Sequence, residues 1–166
     1  MELSVATRHA VEFARYQRQP NAGMLANMEL GLGATDEEIL IAVEEWIDDL
    51  ARGDYSVAYN RTKHDPYYKW TPQLIESVVN GYGRPEPHRR GPFTVTPRAE
   101  AVGELSNREV SREVSRSALE ASRGAAVAEV SHDLPLNGEW SDLTVTFRLE
   151  RNGSSLNLVL QEIHVF

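Results

Sequence analysis

The chain has 166 residues, a formal net charge of −8 and no cysteine. This length suits a single domain with a proper core. The acidic balance excludes a nucleic-acid backbone as the main partner, and the missing cysteines exclude disulfides, thiolate nucleophiles and cysteine metal sites. No apolar run reaches the length of a signal peptide or a membrane span, so a soluble, cytoplasmic protein is expected, without a membrane partner.

Residues 1–34 read as an N-terminal helical arm. Ala6, Ala10, Phe13 and Ala14 share one face of a helix over 3–18, which Pro20 ends. Asn21 suits the cap of a shorter helix carrying Met24, Leu25 and Met28, before Gly31 and Gly33 break the chain. The apolar face of this arm is thin; it suits docking on its own domain or on a partner.

Residues 35–166 read as the main domain, and three helices open it. Thr35-Asp36-Glu37-Glu38 has the form of a capping box. Ile39, Leu40, Val43, Trp46, Ile47 and Leu50 follow with the three-four spacing of one apolar face. Gly53 stands where a helix-ending glycine is expected. Asp54 is placed to cap a second helix, from Tyr55 to about Thr62, stopped by His64-Asp65-Pro66. Thr71-Pro72 opens the third helix, whose stripe is Leu74, Ile75, Val78 and Val79. Three prolines and a glycine make Arg84 to Pro92 a loop or extended segment.

Beyond it, Phe93 to Thr96 has strand composition, which Pro97 limits to an edge or a bulge. Residues 106–123 read as a helix or an irregular excursion, although the valines of Glu109 to Arg116 are strand-like. Ala125 to His132 reads as a strand, and Asn137-Gly138 as a turn. Leu143, Val145, Phe147 and Leu149 alternate with polar residues, the pattern of a half-buried strand. Asn152-Gly153 marks a hairpin. A two-residue turn there pairs Arg151 with Ser154, Leu149 with Leu156, Phe147 with Leu158 and Val145 with Leu160, so that both apolar faces coincide. This register puts Glu162, and then His164, on the apolar side. Either a bulge near Gln161 re-phases the strand, or Glu162 and His164 line a cavity.

Helices followed by long antiparallel hairpin strands predict an α+β fold. The stretch Trp46-Ile47-Asp48-Asp49-Leu50-Ala51-Arg52-Gly53-Asp54-Tyr55-Ser56-Val57-Ala58-Tyr59 resembles the first-helix corner of the nuclear transport factor 2-like, or cystatin-like, superfamily. Trp140 to Phe147 and the closing strand are similar to its last strands. The resemblance covers roughly residues 35 to 166. It implies a cone: N-terminal helices packed on a strongly curved antiparallel sheet, with a ligand pocket at the open end. Members include isomerases, dehydratases, epoxide hydrolases, ligand-binding modules and interaction proteins, some of them bacterial toxin-immunity factors. Homodimers through the sheet are common among them. Fold alone does not supply function, and no stretch here reproduces the family's catalytic motif, so no catalytic residue carries over.

Three groups of residues stand out as candidate sites. Trp46, Tyr55, Tyr59, Tyr68, Trp70 and Trp140 offer flat walls for a small apolar ligand; packing at the edge of the core is the plainer explanation. His132, Glu162 and His164 would supply acid–base groups if they met in a cavity, and are ordinary strand-end residues if they face solvent. His88-Arg89-Arg90 suits an anion or a partner's acidic group, or merely offsets charge on an acidic protein. Asp48, Asp49 and Asp54 read as a solvated face and a helix cap. Nothing has metal-ligand spacing, and no cofactor motif is present. The expectation is a non-catalytic ligand-binding or protein-interaction domain, such as an acidic immunity protein facing a basic toxin. The alternative is a small cofactor-free enzyme of the isomerase, dehydratase or epoxide hydrolase type, with an acid–base group in the cone.

Overall fold

A computed structural model describes residues 28–114 and 126–166. Within them, three helices pack on one face of a strongly curved, mainly antiparallel sheet, an α+β cone-like fold. The helices are α1 (Asp36–Ala51), α2 (Tyr55–Arg61) and α3 (Pro72–Asn80). The strands are β1 (Glu29–Gly31), β2 (Lys63–His64), β3 (Arg108–Ser111), β4 (Ala126–Leu136), β5 (Glu139–Asn152) and β6 (Ser155–Val165). The sheet runs β1-β6-β5-β4-β3, and β2 joins β6 in parallel beyond β1. The expected helices over 3–18 and from Asn21 lie, except for Met28, outside the described residues. So does the excursion from 115 onward.

The helix starts follow from their caps. Thr35 Oγ1 accepts from the Glu38 amide at 3.2 Å, while Glu38 Oε2 accepts from the Thr35 amide at 2.8 Å. Thr71 Oγ1 accepts from the Leu74 amide at 3.0 Å, with Pro72 in the first turn. Gly53, at φ 78°, ends α1 in the left-handed region that a side chain resists. Asp54 differs from expectation: its side chain makes no capping bond to α2.

The core lies between the helices and the concave sheet face. Ile39, Val43, Trp46, Ile47 and Leu50 of α1 meet Leu143, Val145, Phe147 and Leu149 of β5 and Leu156, Leu158 and Leu160 of β6. Trp46 stands edge-on to Phe147, ring centres 5.2 Å apart, and neither ring has access to solvent. Edge-to-face packing of two buried aromatics is a favourable geometry for such an anchor.

The sheet corrects several sequence expectations. The β5–β6 hairpin turns at Gly153-Ser154, with Asn152 opposite Ser155, Leu149 opposite Leu158 and Phe147 opposite Leu160. This register is displaced by two residues from the expected one. An even displacement keeps every side chain on its face, so the coincidence of apolar faces could not tell the two apart. Between Phe147–Leu160 and Thr146–Glu162 the pairing slips by one residue, which places a bulge at Gln161. Past it, Ile163 faces Val145 in the core, and Glu162 and His164 lie on the opposite face. Of the two alternatives at Glu162, the bulge is therefore the one adopted.

Arg108–Ser111 is a strand paired with Glu129–His132, not a helix. Phe93 to Thr96 contributes one bridge, Val95 to Leu136, rather than a strand. Glu29–Gly31 and Lys63–His64, read as arm and helix end, lie along the edge of β6. The face of β5 turned from the helices is more covered than its polar alternation suggests. Thr144 and Arg148 are buried there, Arg148 by ion pairs to Asp65 and Glu150. Shifts of register in β4, between Ala126 and Ala128 and between Asp133 and Pro135, add to the bend.

Candidate functional site

At one end of the cone, four elements converge on Glu44. Spaced four residues apart on α1, Glu44 and Asp48 share a helix side. A single 3-10 turn, Arg98–Glu100, brings Arg98 over them. Its guanidinium holds Asp48 with a two-pronged fork, Nε to Oδ1 at 2.8 Å and Nη2 to Oδ2 at 2.9 Å. Its Nη1 lies 3.1 Å from Glu44 Oε2. From the start of β3, Arg108 Nε donates to Glu44 Oε1 at 2.8 Å, and Nη2 donates to Glu37 Oε1 at 2.8 Å.

His132 completes the cluster from β4, on the helix side of the sheet and without solvent access. Its Nδ1 lies 2.7 Å from the Asp133 carbonyl, which can only accept, so Nδ1 carries a proton. Its Nε2 faces Glu44 Oε1 at 3.5 Å. The backbone around it is fixed by the Asp133 carboxylate, which accepts from the amides of Ser106 and Asn107, from Asn107 Nδ2, and from Thr144 Oγ1 at 2.7 Å.

Against this cluster lies a groove of about 410 Å³, lined by Glu44, Asp48, Arg98, Leu105, Trp140 and neighbours. The segment after Val95 closes one side. Val102 bonds the β4–β5 turn through Gly138 and Trp140, at 2.9 Å each. Burial raises the Glu44 pKa, but Arg108, Arg98 and His132 together outweigh it, and the carboxyl stands below its ordinary range. Arg108 is held above the usual guanidinium range by its bonds to Glu37 and Glu44. The groove thus carries a fixed carboxylate already neutralised by two arginines.

The residues singled out from the sequence fall in different places. Only Trp140 of the six aromatics lines this groove. Trp46 lies in the core. Tyr55 borders a separate hollow of about 250 Å³ with Gln73 and Glu76, and burial, with Glu76 beside it, pushes its hydroxyl up to about 12. Tyr59 stacks on His64, ring centres 3.9 Å apart. Trp70 donates to the Gln161 carbonyl at 3.0 Å and so clasps the bulge. Tyr68 donates to Glu162, and burial together with that bond raises its pKa.

The sheet separates His132 from Glu162 and His164. His132 sits opposite Val145, whereas Glu162 and His164 sit opposite Thr146 and Thr144, whose side chains project from the other face. There they border a hollow of about 240 Å³ with Ser131, Thr146 and Phe166. His164 Nδ1 and Glu162 Oε2 are 3.1 Å apart but not aligned for a hydrogen bond. No group of three metal-ligating residues is gathered among the described residues. No helix of the described residues is long and apolar enough to cross a membrane.

Sequence reasoning missed Glu44, Arg98 and Arg108. The four-residue acidic spacing on α1 was visible, but Arg98 and Arg108 arrive from 50 and 64 residues away and have no local signature. His88, Arg89 and Arg90 lie in an exposed loop between α3 and Val95. Comparison of the chain with protein-family models, with curated proteins and with solved structures found no match.

Proposed function

We propose that the chain is a non-catalytic binding domain of the nuclear transport factor 2-like type, engaging a protein partner in the manner of an immunity protein. One observation carries this reading. The space inside the cone is filled by Trp46, Phe147, Leu143 and their neighbours, each at most 2 % exposed. Of the acid–base candidates, His132 lies on the helix side of the sheet with no solvent access, its Nε2 turned to Glu44. Glu44, depressed in pKa and shared by two arginines, is a weak proton acceptor. Glu162 and His164 stand on the opposite face of the sheet. The net charge of −8 favours a basic partner, and the lack of cysteine suits the cytoplasm. Tyr67, in the turn after β2, and Phe166, just past β6, are 81 % and 73 % exposed and offer apolar surface to a second copy or a partner.

The test is capture by the tagged chain from extract of its native cell, followed by a salt wash. A stoichiometric basic protein is the expected outcome; no retained partner removes the reading. The Nε2–Oε1 contact of His132 with Glu44, beside the Trp140 groove, favours one alternative, a cofactor-free enzyme acting on a small apolar ligand. That alternative requires a turnover that Glu44→Gln abolishes in a folded protein.

A further inference from the structure

Six of the described arginines, Arg52, Arg61, Arg98, Arg108, Arg112 and Arg148, each meet a carboxylate within ion-pair distance. Arg84, Arg89, Arg90 and Arg151 meet none among the described residues; Arg151 stands exposed on the β5–β6 hairpin, and the other three are exposed together on one loop. In an acidic protein, carboxylates to pair with them are abundant. Glu86 lies in the same loop and makes no ion pair with them, so the loop holds three arginines against one carboxylate.

The loop is built rather than slack. A Cβ on Gly81 would stand 1.9 Å from the Arg84 carbonyl oxygen and 2.3 Å from that of Glu86, so the returning chain closes directly on the end of α3. The Gly83 amide bonds the Val78 carbonyl at 2.8 Å, and the Phe93 amide bonds that of Asn80 at 3.2 Å. At the tip, the Arg90 amide donates to His88 Nδ1 and the Gly91 amide to the His88 carbonyl, both at 3.0 Å. The His88 ring in turn lies against Phe93 and Tyr82, with centres 5.2 and 5.9 Å away. His88 is thus an anchor, and Arg89 and Arg90 project from a turn it fixes. Beside them runs a groove of about 290 Å³, lined by Pro85, Pro87 and Pro92 together with Ser77, Asn80 and His88.

We infer that the Arg84–Pro92 loop docks an acidic segment of a protein partner, its carboxylates on the arginine forks and its backbone along the proline-lined groove. The inference rests on the reading of the chain as an interaction protein and adds the chemistry of one contact. Guanidinium forks match carboxylates two bonds at a time. Arginines with no internal partner need break no ion pair to bind, and an anchored turn lowers the ordering cost. A basic corner on an acidic body also sets orientation: the body attracts a basic partner, and the corner selects the partner's acidic segment.

The experiment is fluorescence anisotropy of a fluorescein-labelled octaglutamate peptide with the full chain at low salt. Binding is expected, weakened at least about fivefold by Arg89→Glu and unchanged by the charge-matched Arg151→Glu on the distant hairpin. No binding, or equal weakening by both variants, overturns the inference. Displacement of the peptide by millimolar inorganic phosphate also overturns it, in favour of a phosphate site. If the wild-type chain captures a partner and Arg89→Glu captures it equally well, this inference fails while the proposed function stands.

Discussion

Asp49 has no access to solvent, and its carboxylate accepts from Arg52 on its own helix end and from Arg61 on α2. It is a weld between α1 and α2, not part of a solvated face. Its neighbour Asp48 makes an equally regular pair with Arg98, but both partners there keep about a third of their side chain in water. Removing one member of a buried pair strands the other charge, whereas exposed pairs are screened. Asp49→Ala, which leaves Arg61 mostly covered but Arg52 free to reach water, is expected to lower the unfolding free energy by about 1–3 kcal/mol, and Asp48→Ala by under about 1 kcal/mol. Urea denaturation of the two variants checks the contrast. His64 makes a second prediction at this scale. Burial lowers its pKa from the ordinary 6.5; the bond from its Nε2–H to the Tyr59 carbonyl opposes this, and Lys63 adds to it. The unfolded chain therefore binds the proton more readily, and stability present above pH 6.5 is lost as pH falls toward the lowered value. The melting temperature is expected to drop between pH 7 and about pH 5. It should drop less in His64→Phe, which keeps the ring stack on Tyr59.

The β5–β6 hairpin shows what one residue does to an element. Gln161 is the extra residue opposite Thr146, and without it Leu160 and Glu162 would pair in sequence with Phe147 and Thr146. Deleting Gln161 is therefore expected to preserve the faces of the strand, with Ile163 still opposite Val145. The cost is the anchor: the nearly buried Trp70 indole loses the carbonyl it donates to. A loss of about 1–3 kcal/mol with unchanged near-native circular dichroism is expected. Collapse of the fold would show that the bulge sets the register. The local elements were legible because their signals are local: the caps of Thr35 and Thr71, the spacing of α1, and Asn137-Gly138, whose φ values of 51° and 88° are those of a tight hairpin turn. Arg108–Ser111 was not legible. Its strand state depends on β4, with which it pairs, and its own residues suit either state.

For the whole molecule, the proposed basic partner would be drawn in by the field of an acidic body. The association rate is expected to fall several-fold between about 50 and 300 mM salt while dissociation changes little, as stopped-flow mixing with the captured partner would measure. A rate indifferent to salt would assign recognition to apolar contacts such as Tyr67 and Phe166. The sequence by itself determined the class of fold, the three helices, the closing hairpin and the bulge alternative, because capping, periodicity and turn chemistry act over a few residues. Tertiary structure alone decided that His132 belongs with Glu44, Arg98 and Arg108 rather than with Glu162 and His164. It also decided that Trp46 fills the cone instead of lining a pocket. The first outcome depends on which face of the sheet a residue occupies and which distant groups reach it, the second on the packing of Trp46 against Phe147. A one-residue slip at Gln161 turns Glu162 and His164 away, and contacts spanning 50 to 88 residues of chain assemble the cluster around Glu44.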